Sequence, residues 1–123
     1  MRVSSKNTSN FGGLENALTS WMLIGRNSGI TNISIQYSEV EPGCEQPLHK
    51  HEPEQCYYII DGVGLMTINE ETHQVSAGEA IYIPGNALHG IRNAGNSILK
   101  YLTANTPSFD LEYENLLWPN RPK

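Results

Sequence analysis

Two histidines one residue apart carry the clearest chemical signal in this chain. His49 and His51 have this spacing, and Gln55 follows four residues after the second histidine. Side chains alternate between the two faces of a β-strand, so both imidazoles are expected on one face. A later segment supplies another imidazole, His89. Imidazoles suit borderline divalent ions, so the pattern predicts a mononuclear metal site.

Short apolar runs broken by turn residues surround these histidines and predict an all-β domain. The predicted strands are 21–24, 30–40, 55–60, 63–68, 72–76, 80–83 and 98–104. Residues 63–68 and 72–76 are expected to pair as a hairpin across 69–71. Alternation predicts two inward-facing sets, which are Ile33, Ile35 and Tyr37 on one strand and Leu99, Tyr101 and Thr103 on another.

Size and charge exclude several classes of protein. A chain of 123 residues with 38% hydrophobic content supports one domain. The net charge of −5, without a basic run, makes a nucleic-acid partner an unfavourable interpretation. No window is apolar enough for a membrane span, and the polar beginning of the sequence does not resemble a signal peptide. These features predict a cytoplasmic protein in which Cys44 and Cys56 are reduced, buried, small apolar residues.

The chain divides into three predicted parts. Residues 1–20 are an arm or an edge segment, residues 21–106 form the barrel, and residues 107–123 form a tail. A single helical turn at 14–18 is an alternative within the first part. Short edge strands at both ends of the barrel predict a homodimer, in which a terminal segment covers the neighbour's sheet edge.

Two segments of the sequence resemble the cupin superfamily. Its first motif places a glycine, a His-x-His pair, a glutamate and a second glycine at fixed spacings, and its second motif places a glycine, a proline, a histidine and an asparagine. The matching residues are Gly43, His49, His51 and Gly62 for the first motif and Gly78, Pro84, His89 and Asn93 for the second. The resemblance implies a double-stranded β-helix, or jelly-roll β-barrel, with a metal held by His49, His51, Gln55 and His89.

The chain departs from the superfamily pattern at two positions. Gln55 stands where the superfamily usually has a glutamate ligand, and Asn86 replaces a glycine, a change that asparagine's tolerance of positive φ accommodates. Glu52 or Glu54 is an alternative ligand if the strand phase shifts near Pro53. The metal is expected to be Fe, Ni, Zn, Cu or Mn, and the sequence does not choose among them.

A neutral amide in place of a carboxylate leaves a divalent centre more positive, which favours Lewis-acid chemistry over oxygen activation. The ligand set is similar to that of small cupins that linearise unsaturated uronates, which implies a sugar acid or a keto or hydroxy acid as substrate. Tyr37, Tyr57 and Tyr101 are candidates for positioning that substrate or for proton transfer. The expected activity is that of a lyase or isomerase. The alternatives are a quercetinase-like dioxygenase and a non-catalytic binding or sensor cupin.

Overall fold

The computed structural model describes residues 1–9 and 11–109, and this part of the chain is built from two antiparallel sheets. Its strands are β1 (Phe11–Leu14), β2 (Leu18–Ile24), β3 (Ser34–Val40), β4 (Glu45–His49), β5 (Glu54–Asp61), β6 (Val63–Ile68), β7 (Glu71–Ser76), β8 (Ala80–Ile83), β9 (His89–Asn93) and β10 (Leu99–Thr106). Two short 3-10 turns cover Lys6–Thr8 and Arg26–Ser28.

The strand order gives the predicted jelly roll. One sheet has the order β1-β2-β3-β10-β5-β8, and the other has the order β4-β9-β6-β7. Both sheets contribute to one apolar core, which excludes water from their facing surfaces. Its buried members are Leu18, Val40, Tyr57, Ile59, Met66, Val75, Ile83, Ala87, Ile91, Leu99 and Tyr101.

Two predictions about strand pairing and strand phase are confirmed. Strands β6 and β7 form the expected hairpin, in register from Val63↔Ser76 to Ile68↔Glu71. Asn69 begins the turn with a φ of 54°, a conformation that asparagine adopts more readily than most residues. The inward-facing residues of β10 are also as expected, since Leu99, Tyr101 and Thr103 are all fully buried.

The predicted phase of β3 is wrong. The buried residues of this strand are Ser34, Gln36, Ser38 and Val40, whereas Ile33 is 42% exposed and Ile35 and Tyr37 are half-buried. The strand therefore turns its polar face inward. Its outer face still has apolar neighbours, because the Tyr37 ring lies 5.6 Å from the Trp21 ring. An alternating pattern shows that a strand has one polar face and one apolar face. Where the interior of the protein is polar, it is the polar face that points inward.

The first part of the chain joins the sheet earlier than residue 21. Phe11–Leu14 form the edge strand β1, which agrees with the edge-segment alternative, and the helical turn predicted at 14–18 is instead the tight connection to β2. Before it, Lys6 packs over the rings of Trp21 and Tyr37, at 4.7 Å and 5.2 Å. The tail prediction falls largely on residues 110–123, which lie outside the described part.

Three further observations concern the surface. Cys44 and Cys56 are free thiols, and Cys56 is exposed on the outer face of β5, so the expectation that it is buried is wrong. His73 and Arg92 are exposed. Among the described residues, no helix is long and apolar enough to cross a membrane.

Candidate metal centre

Three histidines meet at one end of the barrel. His49 ends β4 and His89 begins β9, and the two residues are paired directly across the ladder. His51 follows in the connection to β5. A potential ligand nitrogen from each of the three side chains lies within 4.8 Å of the other two. The structure thus brings together the three imidazoles that the sequence predicts as ligands.

Main-chain carbonyls hold each of these rings. The Nδ1 atoms of His49, His51 and His89 lie 2.8 Å from the carbonyl oxygens of Pro47, Pro53 and Ala87, respectively. A carbonyl oxygen only accepts hydrogen bonds, so each Nδ1 carries the proton and donates it. The tautomer is thereby fixed, and in all three rings Nε2 is the nitrogen that would coordinate a metal.

The environment keeps the imidazoles neutral. Burial, together with the neighbouring His49 and His51 and against the opposing effect of the Ala87 carbonyl, lowers the pKa of His89 to about 4. Burial also lowers the pKa values of His49 and His51. Metal binding requires neutral imidazoles, so the rings need not lose protons near neutral pH before binding.

Gln55 lies beside this cluster. Its side chain is 2% exposed, and its amide is close enough to the His51 ring to raise that ring's pKa. Its Oε1 atom is buried and makes no hydrogen bond of standard geometry with a described residue. Glu52 and Glu54, the alternative ligands, are both exposed, and Glu54 accepts a hydrogen bond from Tyr82 on the outer surface. Of these three residues, Gln55 is the one that the strand phase turns inward.

The loop that precedes His89 packs closely against the loop that follows His51. Asn86 adopts a φ of 63°, as its replacement of a glycine anticipates, and its N–H donates to the His51 carbonyl at 2.7 Å. A Cβ atom on Gly85 would lie 2.5 Å from the Glu52 carbonyl oxygen, so only glycine permits this approach. These contacts fix the relative positions of the two histidine-bearing segments.

The donor set fits a divalent transition metal, which the resemblance implies. Nε2 of His89 is fully buried and forms no hydrogen bond with a described residue, so its lone pair is available. A buried polar atom without a partner is costly, and coordination of a metal would remove that cost. His49, His51 and His89 are therefore positioned to bind a metal, with Gln55 next to them.

Two of the predicted tyrosines lie inside the barrel. Tyr57 stacks on Tyr101 at 4.9 Å, and its ring is perpendicular to His89 at 6.3 Å. Both hydroxyls donate to Oε1 of Gln46, at 3.3 Å from Tyr57 and 2.7 Å from Tyr101. Burial raises both tyrosine pKa values, so both residues remain protonated.

Tyr37 is not part of this group. It lies on the outer face of β3, where its hydroxyl donates to Glu39 at 2.7 Å. Burial and the Glu39 carboxylate raise its pKa. The expectation that Tyr37 points into the barrel is wrong because the phase of β3 is reversed.

Sequence reasoning missed two residues of the site. Gln46 is buried in β4, and its alternation with His49 is broken by an irregularity in the ladder between the two residues. Phe109, which the sequence assigns to the tail, is fully buried with its ring 4.7 Å from that of His51. Because the ladder is irregular, the sequence of β4 shows no periodic pattern that would mark Gln46 as inward-facing. The only sequence signal for Phe109 is that it is the first aromatic residue after β10.

The chain is similar in sequence to known proteins of other organisms. The chain is 40% identical over 85 residues to an uncharacterised protein of Methanocaldococcus jannaschii, a match that covers 68% of each chain. It is 33% identical over 69 residues to the dimethylsulfoniopropionate lyase DddW of Ruegeria pomeroyi, covering 56% of this chain and 45% of that lyase.

A solved structure shares the fold. The polyketide cyclase RemF of Streptomyces resistomycificus superposes with a TM-score of 0.73, at 22% identity, over 88% of this chain and 80% of the cyclase. A family model described as "Cupin domain" matches residues 36–105, which include the histidine cluster and Gln55. With its jelly-roll fold and its histidines at the motif positions, the chain belongs to the cupin family.

Proposed function

We propose that this cupin is a metal-dependent lyase or isomerase acting on a small oxygenated metabolite, such as a sugar acid or a keto or hydroxy acid. The observation that carries the proposal is the neutral donor set, with His49, His51 and His89 around one point and the amide of Gln55 beside them. A carboxylate ligand would offset part of the charge of a divalent ion. Without one, the full charge acts on the substrate.

The metal, when bound, would supply Lewis acidity, which polarises a substrate carbonyl or hydroxyl oxygen and acidifies the adjacent C–H or O–H bond. The residues of the chain hold and enclose the substrate. The three Nδ1–H bonds to carbonyl oxygens prevent the imidazoles from rotating, and the Phe109 ring against His51 reduces access of water.

We propose a positioning role for Tyr57 and Tyr101. Each hydroxyl proton already points to Oε1 of Gln46, and burial raises both pKa values, so neither residue is prepared to act as a base. Their stacked rings form a rigid wall beside His89. This wall limits the orientations that a substrate can take at the cluster.

The names of two similar proteins support this class of chemistry. DddW is named a lyase and RemF a polyketide cyclase, and neither class of reaction requires a net oxidation or reduction of the substrate. The chain covers less than half of DddW, and its likeness to RemF extends to the fold alone. Both therefore support the proposed class and not a particular substrate.

Metal analysis followed by anaerobic turnover tests the proposal. The protein is stripped with a chelator, reloaded separately with Fe, Ni, Zn, Cu or Mn, and incubated under argon with unsaturated uronates and with α-keto and α-hydroxy acids. Product formation under argon is the expected result. Strict dependence on oxygen, with its consumption, would indicate the dioxygenase instead, and binding without conversion would indicate a sensor or binding protein.

Substitution of the proposed histidine ligands tests whether the metal binds at the cluster. The double variant His49→Ala/His51→Ala is expected to lose stoichiometric metal in elemental analysis, because it removes two of the donors. The variant His73→Ala should retain it, since His73 is an exposed histidine on β7. Full metal content in the double variant would show that the ion binds elsewhere.

We further propose that the protein acts in the cytoplasm as a homodimer.

A further inference from the structure

The inner face of the larger sheet carries polar atoms that no described residue satisfies. They are Oε1 of Gln36, Oγ1 of Thr103 and Oδ1 of Asn105, and the three side chains are 3%, 0% and 1% exposed, respectively. A buried polar atom without a hydrogen bond is rare in folded proteins because it loses its hydration without replacement. Three of them together indicate a place prepared for a ligand or for ordered water.

The strand registers place these residues side by side. Thr103 is paired with Gln36 on β3, and Asn105 lies two residues further along β10 on the same face. Paired Cβ atoms are about 5 Å apart, and alternate residues on one strand are separated by about 7 Å. On the other side of β10, Asn105 is paired with Gln55 and Thr103 with Tyr57. The unsatisfied atoms therefore form one patch that adjoins the histidine cluster.

The patch consists mainly of hydrogen-bond acceptors. The Nδ2 group of Asn105 donates to Oγ of Ser34 at 3.0 Å, which leaves Oδ1 as the atom without a partner. Oε1 of Gln36 is a second amide oxygen, and the Thr103 hydroxyl can donate or accept. Two carbonyl oxygens attract hydroxyl or N–H groups and repel a carboxylate or a phosphate.

The rest of the interior offers no compensating cation. Within residues 1–9 and 11–109, no lysine, arginine, aspartate or glutamate is classed as buried. An acidic group of the ligand would therefore find its positive partner only at the metal. With a metal bound at the histidines, the interior would have one cationic end and one uncharged end that accepts hydrogen bonds.

We propose that Gln36, Thr103 and Asn105 form a subsite that binds the hydroxyl groups of a small polyhydroxylated acid whose acidic end is held at the histidine cluster. This inference rests on the proposed function of that cluster and narrows its substrate class. The subsite selects molecules with hydroxyls remote from the acid group over simple acids of the same charge.

The variants Thr103→Val and Gln36→Leu test the subsite. Each replaces an unsatisfied polar group with an apolar group of similar shape, so the ligand-free protein is expected to keep or raise its melting temperature. Affinity for ligands that carry hydroxyls remote from the acid group should fall in both variants. If the role of these residues were purely structural, their substitution would instead lower the stability of the protein. Thr72→Val, at an exposed position on β7, is the matched control and should leave ligand affinity unchanged.

The probes are lactate, glycerate and gluconate, measured by calorimetry on the zinc-loaded protein. All three carry the same α-hydroxy acid group and differ in the number of further hydroxyls. Wild-type affinity is expected to increase from lactate to gluconate by about tenfold, the effect of one or two hydrogen bonds. Thr103→Val and Gln36→Leu should abolish this increase and leave lactate binding unchanged.

The outcomes separate this inference from the proposed function. Equal wild-type affinity for lactate and gluconate would overturn the subsite while leaving the metal centre intact. An equal loss of affinity for all three ligands in the variants, or a fall in their melting temperature, would also overturn it. Either result would show that the substitutions disturb the protein as a whole. A protein that holds none of the five metals would refute the proposed function and the subsite with it, whereas a zinc-loaded protein that binds none of the three acids would overturn the subsite.

Discussion

Tyr101 and Gln46 are joined by a 2.7 Å hydrogen bond that connects the two sheets of the barrel. The donor lies on β10 in the centre of the larger sheet, and the acceptor lies on β4 at the edge of the smaller one. The Ser38 hydroxyl is close enough to Tyr101 to oppose the rise in that residue's pKa, and it forms a 2.6 Å hydrogen bond with the Ser20 hydroxyl. A buried polar chain thus crosses the molecule beside the candidate metal centre.

Gln46→Leu is expected to destabilise the protein by about 2 kcal/mol, because it leaves two buried tyrosine hydroxyls without their acceptor. Urea unfolding measures the change. Adding Tyr57→Phe and Tyr101→Phe to Gln46→Leu should recover part of the loss, since the unpaired hydroxyls are then absent. If Gln46→Leu were as stable as the wild type, the chain of hydrogen bonds would contribute nothing to stability.

Gln55→Glu is expected to strengthen metal binding and to lower activity. The added carboxylate neutralises part of the metal's charge, so the ion is held more tightly and polarises the substrate less. The rise in melting temperature on adding zinc should be larger in Gln55→Glu than in the wild type. Glu54→Gln changes an exposed neighbouring residue and should alter neither quantity. Unchanged activity in Gln55→Glu would show that the ligand at this position does not control the chemistry.

The metal-free protein is expected to lose stability as the pH falls from about 6.5 towards 4. The pKa of His89 is about 4 in the folded state against 6.5 in the unfolded state, so the unfolded chain binds the proton first. For His89, the free energy of unfolding therefore falls by about 1.4 kcal/mol for each unit that the pH is lowered within this window. The lowered pKa values of His49 and His51 act in the same direction.

Urea unfolding of the metal-free protein between pH 7.5 and 4.5 checks this slope. His89→Asn should make it shallower, whereas His73→Asn, at an exposed position, should leave it unchanged. A slope that is the same in His89→Asn and the wild type would mean that His89 is not the group that resists protonation.

The homodimer remains a prediction, and the structure suggests a surface for its test. A row across the outer face of the larger sheet is formed by Phe11, Trp21, Tyr37, Leu102 and Tyr58, which are partners in successive ladders. Tyr58 is 48% exposed, and Ile60 on the same strand is 45% exposed. Tyr58→Lys should shift the mass measured by light scattering from twice 13.7 kDa towards that of one chain, whereas Thr72→Lys should not. A wild-type monomer would contradict the prediction.

The sequence was sufficient for the parts of the site that depend on spacing. The motif spacing predicts the clustering of His49, His51 and His89, and local pairing predicts the β6–β7 hairpin. Strand alternation does not account for His51, because β4 ends at His49 and His51 lies in the connection to β5. The inner face of β3 was not predicted, because hydrophobicity marks the interior only when the interior is apolar. Gln46 was missed because the ladder irregularity in β4 interrupts the alternation.

The main-chain anchoring of the three imidazoles has a consequence for how this site can evolve. Each Nδ1–H is committed to the carbonyl of Pro47, Pro53 or Ala87. Every residue type has that carbonyl, so substitutions at these three positions cannot remove the acceptor or replace it with a stronger base. Glutamine and glutamate codons differ by a single nucleotide, so under the proposed role of Gln55 one mutation at this position would change the charge of the donor set. Under that proposal, related cupins with different chemistries diverge at this codon while the histidine framework is inherited unchanged.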